Sequence, residues 1–173
     1  MSGRTFLSTR PVRIAVAVVI VALAVMWIYV LFIAKPEPTD RLTDRSFPTA
    51  AQPICKATID NLRNDGLLDQ KASSPQDRAS LADRADAQLA DMVAQLRAKV
   101  PASGVAHDAT TAWLDDWDQW LHDRAAWTDQ LKAGQDVQFY EKQRGNTGEP
   151  NSTALNAFAV TNEMSSCQTP SGL

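Results

Sequence analysis

The chain has 173 residues, of which 45% are hydrophobic and 21% charged, and a formal net charge of −3. This is enough for one compact domain with an appended segment and too little for two sizeable domains. All 20 acidic residues lie at or beyond Glu37, so the bulk of the chain repels nucleic-acid phosphates and no nucleic-acid partner is expected.

The first element in chain order is the uncharged run Ile14 to Ala34, IAVAVVIVALAVMWIYVLFIA. About 21 residues at about 1.5 Å each make a helix of roughly 31 Å, close to the hydrocarbon thickness of a bilayer. The run predicts a single transmembrane helix over 14–34, with the lipid bilayer as its partner. A cleaved signal peptide would have a shorter apolar region ending in small residues, where Phe32 stands, and no cysteine follows closely enough for a lipoprotein. Arg4, Arg10 and Arg13 precede the run without an acid, whereas Lys35, Arg41 and Arg45 are interleaved with Glu37, Asp40 and Asp44. The positive-inside rule then puts residues 1–13 in the cytoplasm and the rest of the chain on the extracytoplasmic side of the cell membrane. Ala15 with Ala22, and Ala17 with Ala24, are small-residue pairs that permit close helix approach without requiring it.

Residues 35–48, KPEPTDRLTDRSFP, hold three prolines and alternating charges and read as an extended tether, leaving 49–173 as the domain. A helix is expected from Ala51 to Asn64, stopped by Gly66. Ser74-Pro75-Gln76-Asp77 is a helix start, with a hydroxyl cap, a proline in the first turn and an acid three residues on. Leu81, Ala85, Leu89, Met92, Val93, Leu96 and Val100 then share one face until Pro101. The next helix spans Asp108 to Lys132 with Gly134 as its stop, and aligns Trp113, Trp117, Trp120 and Trp127 with Leu114, Leu121 and Leu131. A short glycine-containing loop between two such helices implies an antiparallel hairpin. A loop follows from Gln135 to Asn151, with a helical turn around Val137 to Tyr140, and a last short helix from Ser152 to Met164. No strand pattern appears. The fold class is therefore all-α: a transmembrane helix followed by a small extracytoplasmic helical bundle, built from a long antiparallel hairpin plus two short helices.

Cys55 and Cys167 are the only cysteines. An even count in an exported domain predicts a disulfide that ties the first and last helices together, two unpaired buried thiols being the alternative. The tryptophans either fill the core or line a pocket or partner surface, and Trp117, Trp120, Arg124 and Phe158 are the candidate residues for that surface. Arg124 falls in the middle of the Trp/Leu arc, where it either snorkels to water, pairs with a carboxylate from another helix or faces a bound anion. Asp115, Asp118 and His122 share the opposite face, but one helix offers too few rigid ligands for a metal, and His107 sits in the preceding loop. No metal site and no cofactor are assigned. There is no nucleophile elbow or phosphate loop, so no catalytic residue is assigned and the chain is not read as an enzyme. Asn151-Ser152-Thr153 matches a glycosylation sequon, a pattern too short to carry weight.

Several stretches carry a resemblance: Trp27-Ile28-Tyr29 in the apolar run, Phe47 with Pro53-Ile54-Cys55, Trp113-Leu114-x-x-Trp117, and Asn156-Ala157-Phe158 followed by Met164-x-x-Cys167. Over nearly its whole length the chain resembles uncharacterised single-pass membrane proteins of GC-rich actinobacteria. The resemblance implies the location and the disulfide and carries over no activity. The functional expectation is a non-enzymatic, membrane-anchored cell-envelope protein whose domain contacts another envelope protein. The alternative is an anchored ligand-binding module with an apolar pocket lined by Trp117, Trp120 and Phe158.

Overall fold

The computed structural model describes residues 9–28, 40–68, 72–143 and 148–172. They form helices α1 (Thr9–Ile28), α2 (Ser46–Asn64), α3 (Pro75–Arg97), α4 (Val105–Lys132) and α5 (Asn151–Thr161), and a 3-10 turn at Ser165–Cys167. Among the described residues there is no strand, only an isolated bridge between Gln143 and Pro150. The all-helical reading holds. The chain divides into two units, Met1–Pro38 and Thr39–Leu173, which are described separately.

In the first unit, every side chain from Ile14 to Trp27 on α1 is exposed. Among the described residues no helix is long and apolar enough to cross a membrane. The expected span is only partly within reach of that statement. Residues 29–34 lie outside the described residues, as do 1–8 and the first part of the expected tether, 35–39.

The second unit begins earlier than the sequence suggested. Helix α2 starts at Ser46 rather than Ala51, and Leu42, Phe47 and Pro48 are buried. The second half of the expected tether is thus folded. Its prolines and charges suggested a spacer, but Leu42 and Phe47 supply enough apolar surface to dock it. The early start also leaves Pro53 inside α2, where its missing N–H removes one helical hydrogen bond.

The helix ends follow local chemistry. Ser74 has extended backbone angles, its hydroxyl accepts from the Asp77 N–H at 3.1 Å, and Pro75 occupies the first turn of α3. Helix α2 closes on Gly66, at φ +65, with Gly66 N donating to Arg63 O and Leu67 N to Leu62 O. Helix α4 closes identically on Gly134, through Gly134 N to Leu131 O and Gln135 N to Gln130 O. Both are Schellman caps, and both use the glycine that left-handed backbone favours. Helix α3 ends at Arg97, before Val100, and α4 starts at Val105, before Asp108. His107 therefore lies in the first turn of α4, not in a loop, with Nδ1 2.7 Å from Pro101 O.

Helices α3 and α4 pack along each other as the predicted hairpin, α2 packs on α3 and on the 3-10 turn, and α5 packs on α4. The expected last helix stops at Thr161, short of Met164. No helical turn forms at Val137–Tyr140. Residues 136–142 instead run as an irregular strap, with Val137 and Phe139 partly buried and Gln138 and Tyr140 exposed.

Cys55 and Cys167 form a disulfide with Cα atoms 5.0 Å apart, joining α2 to the 3-10 turn, and both residues are fully buried. Around it, Gln52 and Ser166 exchange two hydrogen bonds, of 3.1 and 3.2 Å. Buried Asn162 donates to Asp40 O and Phe158 O and accepts from the Leu42 N–H at 2.8 Å. Entry and exit of the unit are thereby held to each other.

Candidate functional site

The indole stripe of α4 has its aromatic neighbours on three elements. Trp113 meets Phe47 edge-on at 6.1 Å and stacks on Phe158 at 5.4 Å, and its Nε1 donates to Leu155 O. Trp117 lies edge-on to both Trp113, at 6.4 Å, and Trp120, at 5.5 Å. Two turns on, Trp127 donates through Nε1 to Val137 O of the strap at 2.9 Å. Large rings bridge the gap between one long helix and the shorter elements around it, each burying much area.

Each candidate residue has a definite place. Trp117 is fully buried and Trp120 is 3% exposed, so both belong to the filled core. Phe158 is nearly buried, and its edge reaches a surface depression of about 400 Å³ beside Trp113, Asp116 and Ala157. It is therefore separated from Arg124, which lies further along α4 under the strap. The four candidates do not line one pocket.

Arg124 is the unusual residue. It is 1% exposed, its Nε donates to Asp86 Oδ1 of α3 at 2.5 Å, and its guanidinium carbon lies 5.0 Å from the Trp120 ring centre. Trp127 and Phe139 stand at 5.5 and 5.6 Å. Three aromatic faces and one carboxylate thus offset the cost of burying the charge. The sequence expectation of a carboxylate partner on another helix holds. Burial pushes the Asp86 carboxyl above its ordinary value, Arg124 pulls it back, and nearby Asp83 adds a smaller upward push.

Hydrogen bonding around this pair is incomplete among the described residues. Arg124 Nη1, the indole nitrogens of Trp117 and Trp120 and the Thr128 hydroxyl are buried without a partner. They lie along one face of α4. A cavity of about 330 Å³ adjoins Arg124, with Arg78, Trp127, Gln138, Phe139 and Gly172 also in its wall. Arg78 pairs with Asp136 at the surface. The strap that supplies Gln138 and Phe139 is fastened at its far end by Asp123, a buried carboxylate that accepts from the Lys142 N–H at 3.2 Å. Sequence reasoning missed this strap, whose partly buried Phe139 covers the guanidinium.

The opposite face of α4 is used differently. Asp115 accepts from Arg97 of α3 at 2.8 Å, and Asp118 is paired with the same arginine. These bonds, chiefly the one from Asp115, raise the Arg97 pKa above its ordinary value. His122 is exposed beside them. Among the described residues no group of three His, Cys, Asp or Glu could hold a metal. Asn151 of the sequon is 3% exposed and donates to Asp116 O at 2.7 Å, so the fold already uses its amide.

No protein-family model, no curated protein and no solved structure matches this chain.

Proposed function

We propose that the chain is a membrane-anchored cell-envelope protein. Residues 14–34 cross the bilayer once with the N-terminus in the cytoplasm, and the helical domain makes non-catalytic contacts with another envelope component outside. One observation carries the anchor: α1 presents Ile14, Val18, Val21, Val25 and their neighbours as exposed apolar side chains around its whole circumference. A helix that is apolar all round belongs inside a protein core or a bilayer, because each exposed Ile or Val in water forgoes about 1.5–3 kcal/mol of burial. The three arginines before it support the orientation. The buried Cys55–Cys167 bond fits an oxidising compartment.

The contact role for the domain is supported by how its reactive side chains are engaged. The two cysteines are bridged, Trp113, Trp117 and Trp120 fill the core, and Arg124 pairs with Asp86 through Nε. The sealing of Trp117 and Trp120 weighs against the alternative pocket lined by those residues and Phe158. Protease added to intact protoplasts should digest residues 40–173 while the first dozen residues stay protected, and alkaline carbonate should leave the anchored fragment in the membrane pellet. A domain that resists protease until the membrane is broken would reverse the orientation. Release by carbonate would remove the anchor.

A further inference from the structure

The cavity beside Arg124 is independent of the anchor reading, since it lies wholly within the second unit. Its wall is rich in donors: the guanidinium of Arg78, that of Arg124 and the amide of Gln138. Asp86 and Asp136 balance the two positive charges from outside the lining, each engaging one arginine. Asp86 takes only the Nε of Arg124, and Nη1 remains buried and unpartnered. A guanidinium is a planar fork of donors that matches a carboxylate through directed N–H bonds. The remaining wall is Ala82, Gly172 and two aromatic rings, Trp127 and Phe139, with centres 5.7 Å apart and planes tilted by 54°. A flat apolar body can lie on the face of one ring and meet the other at an angle. The volume, about 330 Å³, falls at the lower end of small-ligand pockets, which run roughly 300–1,000 Å³.

We propose that this cavity binds a small carboxylate with a flat apolar body, the carboxylate facing Arg124 and Arg78 and the body lying against Trp127 and Phe139. Phe139 is the wall that has to move for a ligand to reach Nη1. It is partly exposed on the irregular strap, between the hydrogen bonds at Val137 and Lys142, and its ring covers the guanidinium. A modest shift of that ring admits the carboxylate to Nη1 without disturbing the Asp86 bond. Because the local charge is already balanced, affinity comes from directed donors and ring contact, and a Kd on the order of 1 mM is expected for a ligand of this size.

Benzoate is the probe, titrated into the full-length chain in detergent micelles at constant ionic strength and neutral pH. The readout is the indole N–H resonance of Trp127. Benzoate should shift it saturably, while benzyl alcohol, similar in shape and uncharged, should bind at least about tenfold more weakly. Inorganic phosphate, which lacks the flat body, should also be weaker. Because Arg124 variants risk unfolding, Arg78→Gln carries the mutational test: it should keep the melting temperature and weaken benzoate by about fivefold or more. No saturable shift, or an equal response to benzyl alcohol, would overturn the site, and the buried Nη1 would then be met by water. Phosphate binding as tightly as benzoate would overturn the assignment to a flat carboxylate. Unchanged benzoate affinity in Arg78→Gln would remove the cavity as the place of binding.

Discussion

At the residue scale, Arg124 and Asp86 pose the sharpest energetic question. Removing one partner of a buried pair strands the other, so Asp86→Ala should destabilise the domain by about 3–5 kcal/mol in urea unfolding. Replacing both, as Arg124→Met with Asp86→Leu, should fall within about 1 kcal/mol of the parent, because the three surrounding rings accept apolar side chains equally well. The pH dependence has a definite sign. Burial lifts the Asp86 carboxyl above its ordinary value of 3.8, so the folded state holds this proton to higher pH than the unfolded state does. Its contribution to stability is therefore complete below that value and is lost as pH rises through the raised one. Arg124→Met removes the attraction that opposes burial and should lift the Asp86 pKa further, which carboxyl NMR titration would read directly. Asn162 is the second critical residue. Its amide serves Asp40 O, Phe158 O and the Leu42 N–H, all inside the fold. Asn162→Ala should cost about 1–3 kcal/mol, chiefly by leaving the buried Leu42 N–H without its acceptor, since Phe158 O keeps the Asn162 backbone N–H. Nothing in the sequence marked Asn162, because two of its three partners, Leu42 and Asp40, lie about 120 positions away.

At the element scale, helix ends test how far local signals reach. Gly66→Ala and Gly134→Ala each force a side chain into left-handed backbone, at φ +65 and +83. Each should cost about 1–2 kcal/mol in thermal unfolding. The two costs should be similar, since Gly66 faces open space and a Cβ at Gly134 would stand 3.2 Å from Gln76 Nε2, the free end of an exposed, flexible side chain that can move aside. Adding Gln76→Ala should therefore leave the cost of Gly134→Ala nearly unchanged. These two stops and the Ser74 start were legible in the sequence because the signal and the structure occupy the same few residues. The end of α5 was not legible. It closes through Glu163 N to Val160 O and Met164 N to Ala159 O, with the non-glycine Glu163 at φ +60. Glu163 also receives Arg41 and Arg45 from the entry segment, so a long-range ion pair accompanies the strained conformation. The strap was misread as a helical turn although its sequence, Val137-Gln138-Phe139-Tyr140, alternates apolar and polar, which is the period of extended chain. Its inward residues find their partners on α4, and only tertiary packing reveals which way the alternation faces.

At the scale of the whole molecule, the hairpin and the disulfide were readable because each rests on a simple count: one long apolar face per helix, and one pair of cysteines. The folded entry segment was not readable, since Leu42 and Phe47 stand among prolines and charges and gain their meaning only from the surfaces they cover. That segment and the disulfide act at the same junction. The Cys55–Cys167 bond spans 112 positions, and a loop of that length contributes about 4–5 kcal/mol by the chain-entropy argument. The non-covalent contacts of Gln52 with Ser166 and of Asn162 with the entry segment would survive its loss. Cys55→Ser should therefore lower stability by a few kcal/mol yet leave a helical, cooperatively melting domain. Cys167→Ser should do the same, and the double variant should be little worse than either single one, because both remove one bond. Maleimide labelling of the unreduced chain in denaturant should modify no cysteine, and labelling after reduction should modify both. Since Cys55 and Cys167 are sealed from solvent, reduction of the folded domain should proceed only as fast as it opens, and mild reductant without denaturant should leave the bond intact. Two thiols labelled before reduction, or additive losses in the double variant, would sever the link between the first and last elements of the fold.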